Sequence, residues 1–237
     1  MSKPFIFKEF TINQDRCAMK VGTDGVLLGA WVSIKDTPNS ILDIGAGTGL
    51  IALQMAQRSY AETVDAIELD DEAYEQCVEN FEASQWSDRL FCYHASLQEF
   101  TEELAENYDL IVSNPPFYIE NVTSGDKSRD KARQNLSLPF KELLDGVKKL
   151  LSNEGDFAVI IPFKEEKNFL KQAITFGLYV NRITHVKGNP DSEIKRSLLQ
   201  FSFYETTIQK DELVIEIERH QYTKAYQELT APFYLKM

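Results

Sequence analysis

Apolar strand-like segments alternate with amphipathic helix-like segments along the chain from residue 41 onward. Short runs rich in branched and aromatic side chains predict strands, and apolar side chains three to four residues apart predict helices. Seven strands are predicted in this way: SILDI, TVDAIELD, RLFCYHAS, YDLIVS, DFAVIIP, RITHVK and SLLQFSFYE. Strands that alternate with helices form parallel pairs, because the helix returns the chain to the same end of the sheet. The alternation therefore predicts an α/β fold with a mainly parallel sheet and helices on both faces.

The last two predicted strands, RITHVK and SLLQFSFYE, are separated only by residues 188–196. A parallel connection needs about a dozen residues or more, so we expect an antiparallel pair at the end of the sheet. No repeat or linker interrupts the chain, which we interpret as a single domain over residues 1–237. Residues 1–40 are expected to form an N-terminal extension, with short strands and a helix after a glycine-containing turn, packed on the core at 41–237.

Composition limits the partners and the cellular compartment of the chain. The net charge of −12 and the isoelectric point near 4.8 disfavour a protein that coats nucleic acid non-specifically. No apolar run reaches the roughly 18 residues of a membrane span, and the first residues lack the apolar core of a secretory signal. The three cysteines are far apart and the three histidines are isolated. We therefore expect a cytoplasmic protein with reduced thiols, no membrane partner and no metal site.

A glycine-rich turn, GAGTG, follows the first strand of the alternating region. Asp43, Gly45, Gly47 and Gly49 then stand at the carboxyl end of that strand, where open α/β sheets bind ligands. Glycine lets backbone amides approach a ligand closely, although tight strand-to-helix turns also need glycine for steric reasons. The third glycine of the dinucleotide pattern GxGxxG is replaced by Leu50, which disfavours a pyrophosphate-binding dehydrogenase.

An acidic residue, Glu68, ends the second strand in the segment AIELD. A carboxylate at this position can accept both hydroxyls of a ribose with its two oxygens. Asp70 and Asp71 are interpreted instead as the start of a helix, whose dipole favours acidic residues. A glycine loop, a ribose acid and no phosphate-binding lysine together fit an adenosine that carries no pyrophosphate.

These features resemble the class I S-adenosylmethionine-dependent methyltransferases, whose DxGxGxG motif and strand-two acid appear here as residues 43–49 and Glu68. The resemblance implies a Rossmann-like seven-stranded sheet and S-adenosylmethionine as the cofactor. It places Asp43 and Gly45 at the amino-acid moiety of the cofactor and Glu68 at the ribose, and it makes Leu69, Gly47 and Gly49 further cofactor-binding residues. Ala95 and Ser96 follow the third strand, at the position that often recognises the cofactor adenine through an aspartate; here they offer backbone amides and a hydroxyl.

The fourth strand ends abruptly in the segment SNPPFY, which resembles the (D/N/S)PP(Y/F) motif that methyltransferases of planar amino and amide nitrogens share. An exocyclic amino group on adenine is a poor nucleophile, because its lone pair is delocalised into the ring. The side-chain oxygen of Asn114 and the carbonyl of Pro115 can accept its two hydrogens, and Pro115 and Pro116 restrict the backbone that holds both acceptors. Phe117 can stack on the flipped base, and Tyr118 can line the substrate entrance. Two prolines can also simply end a strand, but their position after the fourth strand favours the catalytic interpretation.

The SNPPFY motif does not by itself name the substrate, because enzymes that methylate DNA adenine, RNA guanine N2 and a release-factor glutamine share it. The flanking segments resemble the bacterial tRNA1(Val) (adenine-N6)-methyltransferase family from end to end: FKEFTINQDRCAMKVGTDGVLLGAW, KSRDKARQN, LPF, IKRSLL and YTKAYQELTAPFYLKM. By this resemblance the target is adenosine 37 of a valine tRNA, beside the anticodon. Four residues of the first segment would border the methionine part of the cofactor: Lys20, Gly22, Thr23 and Asp24. Asp24 fits equally well as a helix cap.

Two basic runs are the predicted contacts to tRNA in this acidic chain. One follows the catalytic segment and contains Lys127, Arg129, Lys131 and Arg133. The other is the pair Lys195 and Arg196. Either run alone would be read as solvated loop charge, but a position beside a tRNA-modifying site favours phosphate binding. We expect the valine anticodon stem-loop as the partner and a monomeric protein.

Two alternatives remain from the sequence. The chain could methylate another amino or amide nitrogen, such as an rRNA or DNA base or a release-factor glutamine, but only about 40 residues precede the glycine loop, too few for the helical bundle that release-factor enzymes carry. It could also be an idle fold that acts as an adaptor. The complete Asn114–Phe117 segment argues against an idle fold, which has no reason to keep this chemistry.

Overall fold

The computed structural model describes residues 3–34, 37–103, 107–116 and 138–236. The strands in these residues are β1 (Phe5–Ile6), β2 (Thr11–Ile12), β3 (Ser40–Ile44), β4 (Thr63–Glu68), β5 (Leu90–His94), β6 (Tyr108–Ser113), β7 (Leu151–Pro162), β8 (Tyr179–Lys187), β9 (Ile194–Ser202), β10 (Gln209–Val214), β11 (Glu216–Glu218) and β12 (Gln221–Tyr222). The helices are α1 (Thr23–Trp31), α2 (Leu50–Arg58), α3 (Asp71–Glu82), α4 (Leu97–Glu103), α5 (Phe140–Leu150), α6 (Glu166–Thr175) and α7 (Lys224–Thr230), and a 3-10 turn spans Phe163–Glu165.

The central sheet has the strand order β10-β8-β9-β7-β6-β3-β4-β5. Its neighbours pair in parallel, except that β9 is antiparallel to both β7 and β8. Only residues 188–193 join β8 to β9, and a loop of this length cannot cross back to the other end of the sheet. The predicted antiparallel pair is therefore confirmed, and β9 takes its place between β7 and β8.

Helices cover both faces of the sheet, as predicted. Leu28 of α1, Leu53 of α2, Phe81 of α3 and Tyr226 of α7 belong to the buried cluster on one face. The cluster on the other face contains side chains from α4, α5 and α6. Because successive strand residues point to opposite faces, the parallel strands need apolar residues at nearly every position, which explains runs such as LIV in β6.

The structure differs from the sequence prediction at two elements. β10 adds an eighth strand to the described part of the sheet, parallel to β8. Half of the residues in its segment QKDELV are charged and four of the six are exposed, as is common on an edge strand, so the segment shows no strand-like alternation. The sequence predicts an amphipathic helix over LPFKELLDGVKKLLS that stops near Gly155, but α5 ends at Leu150 and β7 begins at Leu151. The register shift between Tyr108 and Leu110 accommodates these early strand residues.

The N-terminal strands and the C-terminal tail hold each other at one side of the fold. β1 and β2 pair as the expected hairpin. Phe7 bridges to Tyr234, and the backbone N–H of Lys8 donates to the carbonyl of Phe233 at 2.8 Å. The Lys8 ammonium also donates to the Ala231 carbonyl at 2.6 Å. The helix of this extension, α1, packs on α2 and α7, and α2 begins where the glycine loop ends.

Candidate active site

A cavity of about 540 Å³ opens at the carboxyl ends of β3, β4 and β6. Its size falls in the range of small-molecule sites, which is about 300–1,000 Å³. Its walls come from the start of α1, the glycine loop, and the turns after β4, β5 and β6. Many of the site residues predicted from the sequence line this cavity. They are Lys20, Gly22, Thr23, Asp24, Gly45, Gly47, Glu68, Leu69, Ala95, Ser96, Asn114, Pro115 and Pro116.

The other nominated residues lie elsewhere. Asp43 and Gly49 are buried and do not line the cavity. Gly49 starts α2 in the left-handed region, at φ +78°, and a Cβ there would come within 2.6 Å of the Phe81 ring. Lys195 and Arg196 are on β9. Six further nominated residues lie outside the residues that the structure describes: Phe117, Tyr118, Lys127, Arg129, Lys131 and Arg133.

The backbone amides of the glycine loop are turned toward protein acceptors. Gly45 and Ala46 both donate to the Ile67 carbonyl, at 3.0 and 3.1 Å, and Gly49 donates to the Ala46 carbonyl at 2.9 Å. Gly47 donates to Oε2 of Glu68 at 2.7 Å. A pyrophosphate site needs such donors to face the ligand. The loop therefore suits a ligand without phosphates, as the replacement of the third glycine predicts.

Glu68 is held on the cavity wall by three backbone amides. Its Oε2 accepts from Gly47, and its Oε1 accepts from Leu69 at 2.8 Å and from Asp70 at 2.9 Å. A carboxylate has about four acceptor sites, so one site on Oε2 remains for a ligand hydroxyl. The sequence predicted two ribose hydroxyls on this side chain; the geometry leaves room for one.

The buried carboxylate of Asp43 joins β3 to α2. Its Oδ2 accepts from the Ala52 N–H of α2 at 3.1 Å, and within the described residues its Oδ1 has no hydrogen-bond partner. Complete burial raises the pKa of Asp43 to about 7; the negative Glu68 adds to this rise and the Ala52 hydrogen bond opposes it. A carboxyl in this position loses its proton at much higher pH in the folded chain than in the unfolded chain.

We expect the cofactor-free protein to lose stability relative to Asp43→Asn as the pH rises from about 4 to about 7. Over this range the unfolded chain has released the Asp43 proton and the folded chain still holds it, so raising the pH favours unfolding, by at most about 1.4 kcal/mol per pH unit. Denaturant unfolding of both proteins at several pH values measures the difference. Asparagine keeps the acceptor for Ala52 and cannot ionise, so parallel pH profiles would contradict this assignment.

Asn114 is placed at the cavity by the ends of two neighbouring strands. Ser113, the last residue of β6, donates from Oγ to the Ile44 carbonyl at the end of β3, at 2.8 Å. On the other side, α1 comes close because Gly25 has no side chain: a Cβ there would lie 3.9 Å from the Asn114 amide nitrogen and 3.1 Å from Leu50. The half-buried Asn114 side chain thus lies between the glycine loop and the start of α1.

An ion pair joins the start of α1 to β9. The Arg196 Nε lies 2.7 Å from Oδ2 of Asp24, and both side chains are about one-third exposed. Gly22 is the N-cap of α1, so the alternative prediction that Asp24 caps this helix is wrong; Asp24 is in the first turn. The same kind of prediction is confirmed at Asp70, which caps α3 by accepting from Ala73 at 2.9 Å. Arg196, a predicted tRNA contact, is therefore already paired with Asp24, a predicted cofactor contact.

The cavity wall also contains residues that the sequence analysis did not nominate. Met19, Gln98 and Glu142 line it, and Glu142 is in the first turn of α5. Cys17 lines it too, but burial, with the nearby Glu68 and Asp70, raises the pKa of its thiol to about 12, so it stays protonated. Among the described residues, no group of three His, Cys, Asp or Glu side chains is suitably placed for a metal, and no helix could span a membrane.

Comparison with known proteins gives a consistent assignment. Residues 25–175 match the family described as methyltransferase small domain. The chain is 60% identical to the tRNA1(Val) (adenine(37)-N6)-methyltransferase of Flavobacterium johnsoniae, over 98% of this chain and 100% of the relative. It is 57% identical to the enzyme of the same name from Christiangramia forsetii, over 100% and 99% of the two chains.

A solved structure supports the fold independently of close sequence similarity. The structure of a predicted O-methyltransferase from Agrobacterium tumefaciens superposes with a TM-score of 0.68 at 18% identity, covering 89% of this chain and 96% of the other. Together with the strand order and the cavity at the carboxyl ends of β3, β4 and β6, these similarities lead to one conclusion. The chain belongs to the tRNA1(Val) (adenine(37)-N6)-methyltransferase family of class I methyltransferases.

Proposed function

We propose that this chain transfers the methyl group of S-adenosylmethionine to N6 of adenine 37 in tRNA1(Val). The observation that carries the proposal is the position of Asn114, Pro115 and Pro116 on the wall of the cavity that Glu68 and the glycine loop also line. An amino-nitrogen motif and a nucleoside site thereby share one cavity. Identity of 57–60% over nearly the whole length to relatives of that name supports the substrate.

The residues of the cavity fit the cofactor. When bound, S-adenosylmethionine supplies a methyl group on a positively charged sulfur. The remaining acceptor site on Oε2 of Glu68 takes a ribose hydroxyl, and its three amide bonds keep it oriented. Ala95 and Ser96, with Leu69 opposite, border the adenine. Lys20, Gly22, Thr23 and Asp24 border the methionine part beside Gly45, while Asp43 is buried against α2.

Asn114 and Pro115 activate the amino group of the substrate. The side-chain oxygen of Asn114 and the carbonyl of Pro115 accept the two N6 hydrogens, which favours the pyramidal geometry that the nitrogen needs for attack. The strand end that holds Asn114 is anchored by the Ser113 hydrogen bond to β3, so the acceptors do not have to reorganise during the reaction. The N6 proton becomes acidic as the new bond forms, so the site needs no strong base. Phe117 stacks on the flipped base.

The tRNA approaches from the β7, β9 and β8 side of Asn114. Lys195 is exposed on β9, next to Arg196. We propose that these two residues and the run of Lys127, Arg129, Lys131 and Arg133 bind phosphates of the anticodon stem-loop, with Tyr118 at the entrance. We also propose that the protein acts as a cytoplasmic monomer.

Methyl transfer to isolated tRNA tests the function directly. Purified protein is incubated with labelled S-adenosylmethionine and total tRNA that lacks this modification, and the labelled nucleoside is identified and mapped. We expect N6-methyladenosine at position 37 of tRNA1(Val). Label at another RNA position, or only in a protein substrate, would overturn the substrate while leaving the methyltransferase chemistry in place.

A further inference from the structure

An exposed aromatic side chain lies at the carboxyl end of β7, outside the cavity described above. Phe163 directly follows Pro162, the last residue of β7, and is 38% exposed although its ring is apolar. It is not among the residues that line the cofactor cavity. An exposed phenylalanine by itself is ordinary; its position and its support are what distinguish this one.

The sheet register places Phe163 at the same end of the sheet as Asn114, on the neighbouring strand. Ser113 of β6 pairs with Val159 of β7, and β7 continues in the same direction to Pro162. Asn114 is therefore level with Ile160, and Phe163 lies three residues farther along, about 10 Å at 3.3 Å per residue, on a strand about 4.8 Å away. Since β3 and β4 lie on the other side of β6, the end of β6 separates Phe163 from the strands that carry the nucleoside cavity. The ring therefore lies at the carboxyl end of the sheet, on the side of Asn114 away from this cavity.

A hydrogen-bonded cluster fixes the orientation of the Phe163 ring. The ring meets His185 edge to face, with centroids 5.0 Å apart and an interplanar angle of 82°. Nε2 of His185 lies 2.8 Å from Oε2 of Glu166, and the hydroxyl of Ser197 donates to the same oxygen at 2.5 Å. His185 and Ser197 are also direct neighbours across β8 and β9. The ring is thus packed against a hydrogen-bonded part of the sheet and remains 38% exposed.

Positive side chains flank the ring. Lys164 follows Phe163 and is about half exposed, with Glu165 3.9 Å from its ammonium. On β9 the exposed Lys195 precedes Arg196, which is opposite Pro162 and pairs with Asp24 on the α1 face, so Lys164 and Lys195 are the cations near the ring. An aromatic face between cations fits a base with its flanking phosphates, which is how proteins bind unpaired RNA.

We propose that Phe163 is a stacking platform for an unpaired anticodon-loop base next to the target adenine, and that the cluster of His185, Glu166 and Ser197 positions its ring. This inference rests on the proposed function, because it requires an RNA substrate at Asn114. It separates two aromatic roles: Phe117 holds the base that reacts, and Phe163 holds a neighbour that keeps the loop open. Phe163 then contributes to tRNA binding and contributes nothing to cofactor binding.

Steady-state kinetics with tRNA1(Val) test the platform. Loss of one base–aromatic stack costs about 1–3 kcal/mol, so we expect Phe163→Ala to raise KM for tRNA about ten-fold or more, with little change in kcat or in cofactor affinity. Phe163→Tyr should retain most of the affinity. Tyr60→Ala is the matched control, because Tyr60 is also an exposed aromatic side chain, at 92% exposure. Tyr60 precedes β4 and so lies at the amino ends of the parallel strands, opposite to Phe163. This variant should leave KM for tRNA unchanged.

A fluorescent variant gives a reading that does not depend on turnover. The tryptophan fluorescence of Phe163→Trp should fall when the unmodified anticodon stem-loop is added. The wild-type protein, which has only Trp31 and Trp86, gives the reference signal. His185→Ala should weaken both the quenching and tRNA binding, since the ring loses its edge contact. Unchanged KM in Phe163→Ala, or no quenching while the stem-loop binds, would overturn the platform. Wild-type protein that leaves tRNA unmethylated would overturn the proposed function instead.

Discussion

Asn114→Ala should lower kcat for methyl transfer by about 1,000-fold, at the upper end of what one lost transition-state hydrogen bond costs other enzymes. The Asn114 side chain lies on the cavity wall between the glycine loop and α1, where it can accept a hydrogen from the reacting amino group. The Pro115 carbonyl alone would leave the second hydrogen without an acceptor. Single-turnover transfer from labelled S-adenosylmethionine to tRNA1(Val) measures the loss.

Cofactor binding should survive the same substitution nearly intact. Titration calorimetry of Asn114→Ala with S-adenosylmethionine should give a Kd close to the wild-type value, because in the proposed site the cofactor is held mainly by the turns after β3, β4 and β5. Asn114→Asp keeps an acceptor oxygen and should retain measurable transfer. Asn168→Ala, an exposed asparagine on α6, should behave as wild type in both assays. Loss of cofactor binding in Asn114→Ala would contradict the proposed division of roles.

Glu68→Ala should weaken S-adenosylmethionine binding by about 100-fold, since the ribose hydroxyl loses a charged acceptor and such hydrogen bonds contribute about 1.5–3 kcal/mol each. The same change removes the acceptor of the Gly47, Leu69 and Asp70 amides. The glycine loop and the start of α3 then lose the group that holds them together. We therefore expect Glu68→Ala to have a lower melting temperature than the wild-type protein and a higher Kd for S-adenosylmethionine. Scanning and titration calorimetry of the two proteins measure these changes.

A matched acid separates the specific effect from a loss of charge. Glu72→Ala removes an exposed carboxylate from the first turn of α3, a few residues after Glu68, and should leave the Kd for S-adenosylmethionine unchanged. Glu68→Gln should bind the cofactor better than Glu68→Ala, yet worse than wild type, because its NH2 group meets an amide donor in either orientation. Equal Kd values for Glu68→Ala and wild type would remove Glu68 from the ribose site.

The predicted strands, the antiparallel end of the sheet and the helices on both faces follow from local patterns that are visible in sequence. Apolar runs, helical periodicity and a short connection each depend on a few adjacent residues. β10 was not predicted, because its stability comes from pairing with β8 and half of the residues in its segment are charged. The end of α5 was misplaced because Leu151 pairs with Tyr108, a contact between residues distant in the chain.

Neighbouring residues along the chain define the chemical groups available to this protein: a glycine loop, an acid after the second strand, and the Asn114–Pro116 turn. Tertiary contacts set how these groups are used. They bury Asp43 against α2, where burial raises its pKa to about 7, and they pair Asp24 with Arg196 across 172 residues of chain. They also bring Phe163 to the same end of the sheet as Asn114. Burial, ion pairing and ring packing depend on which distant segments meet, and the order of residues along the chain does not show that directly.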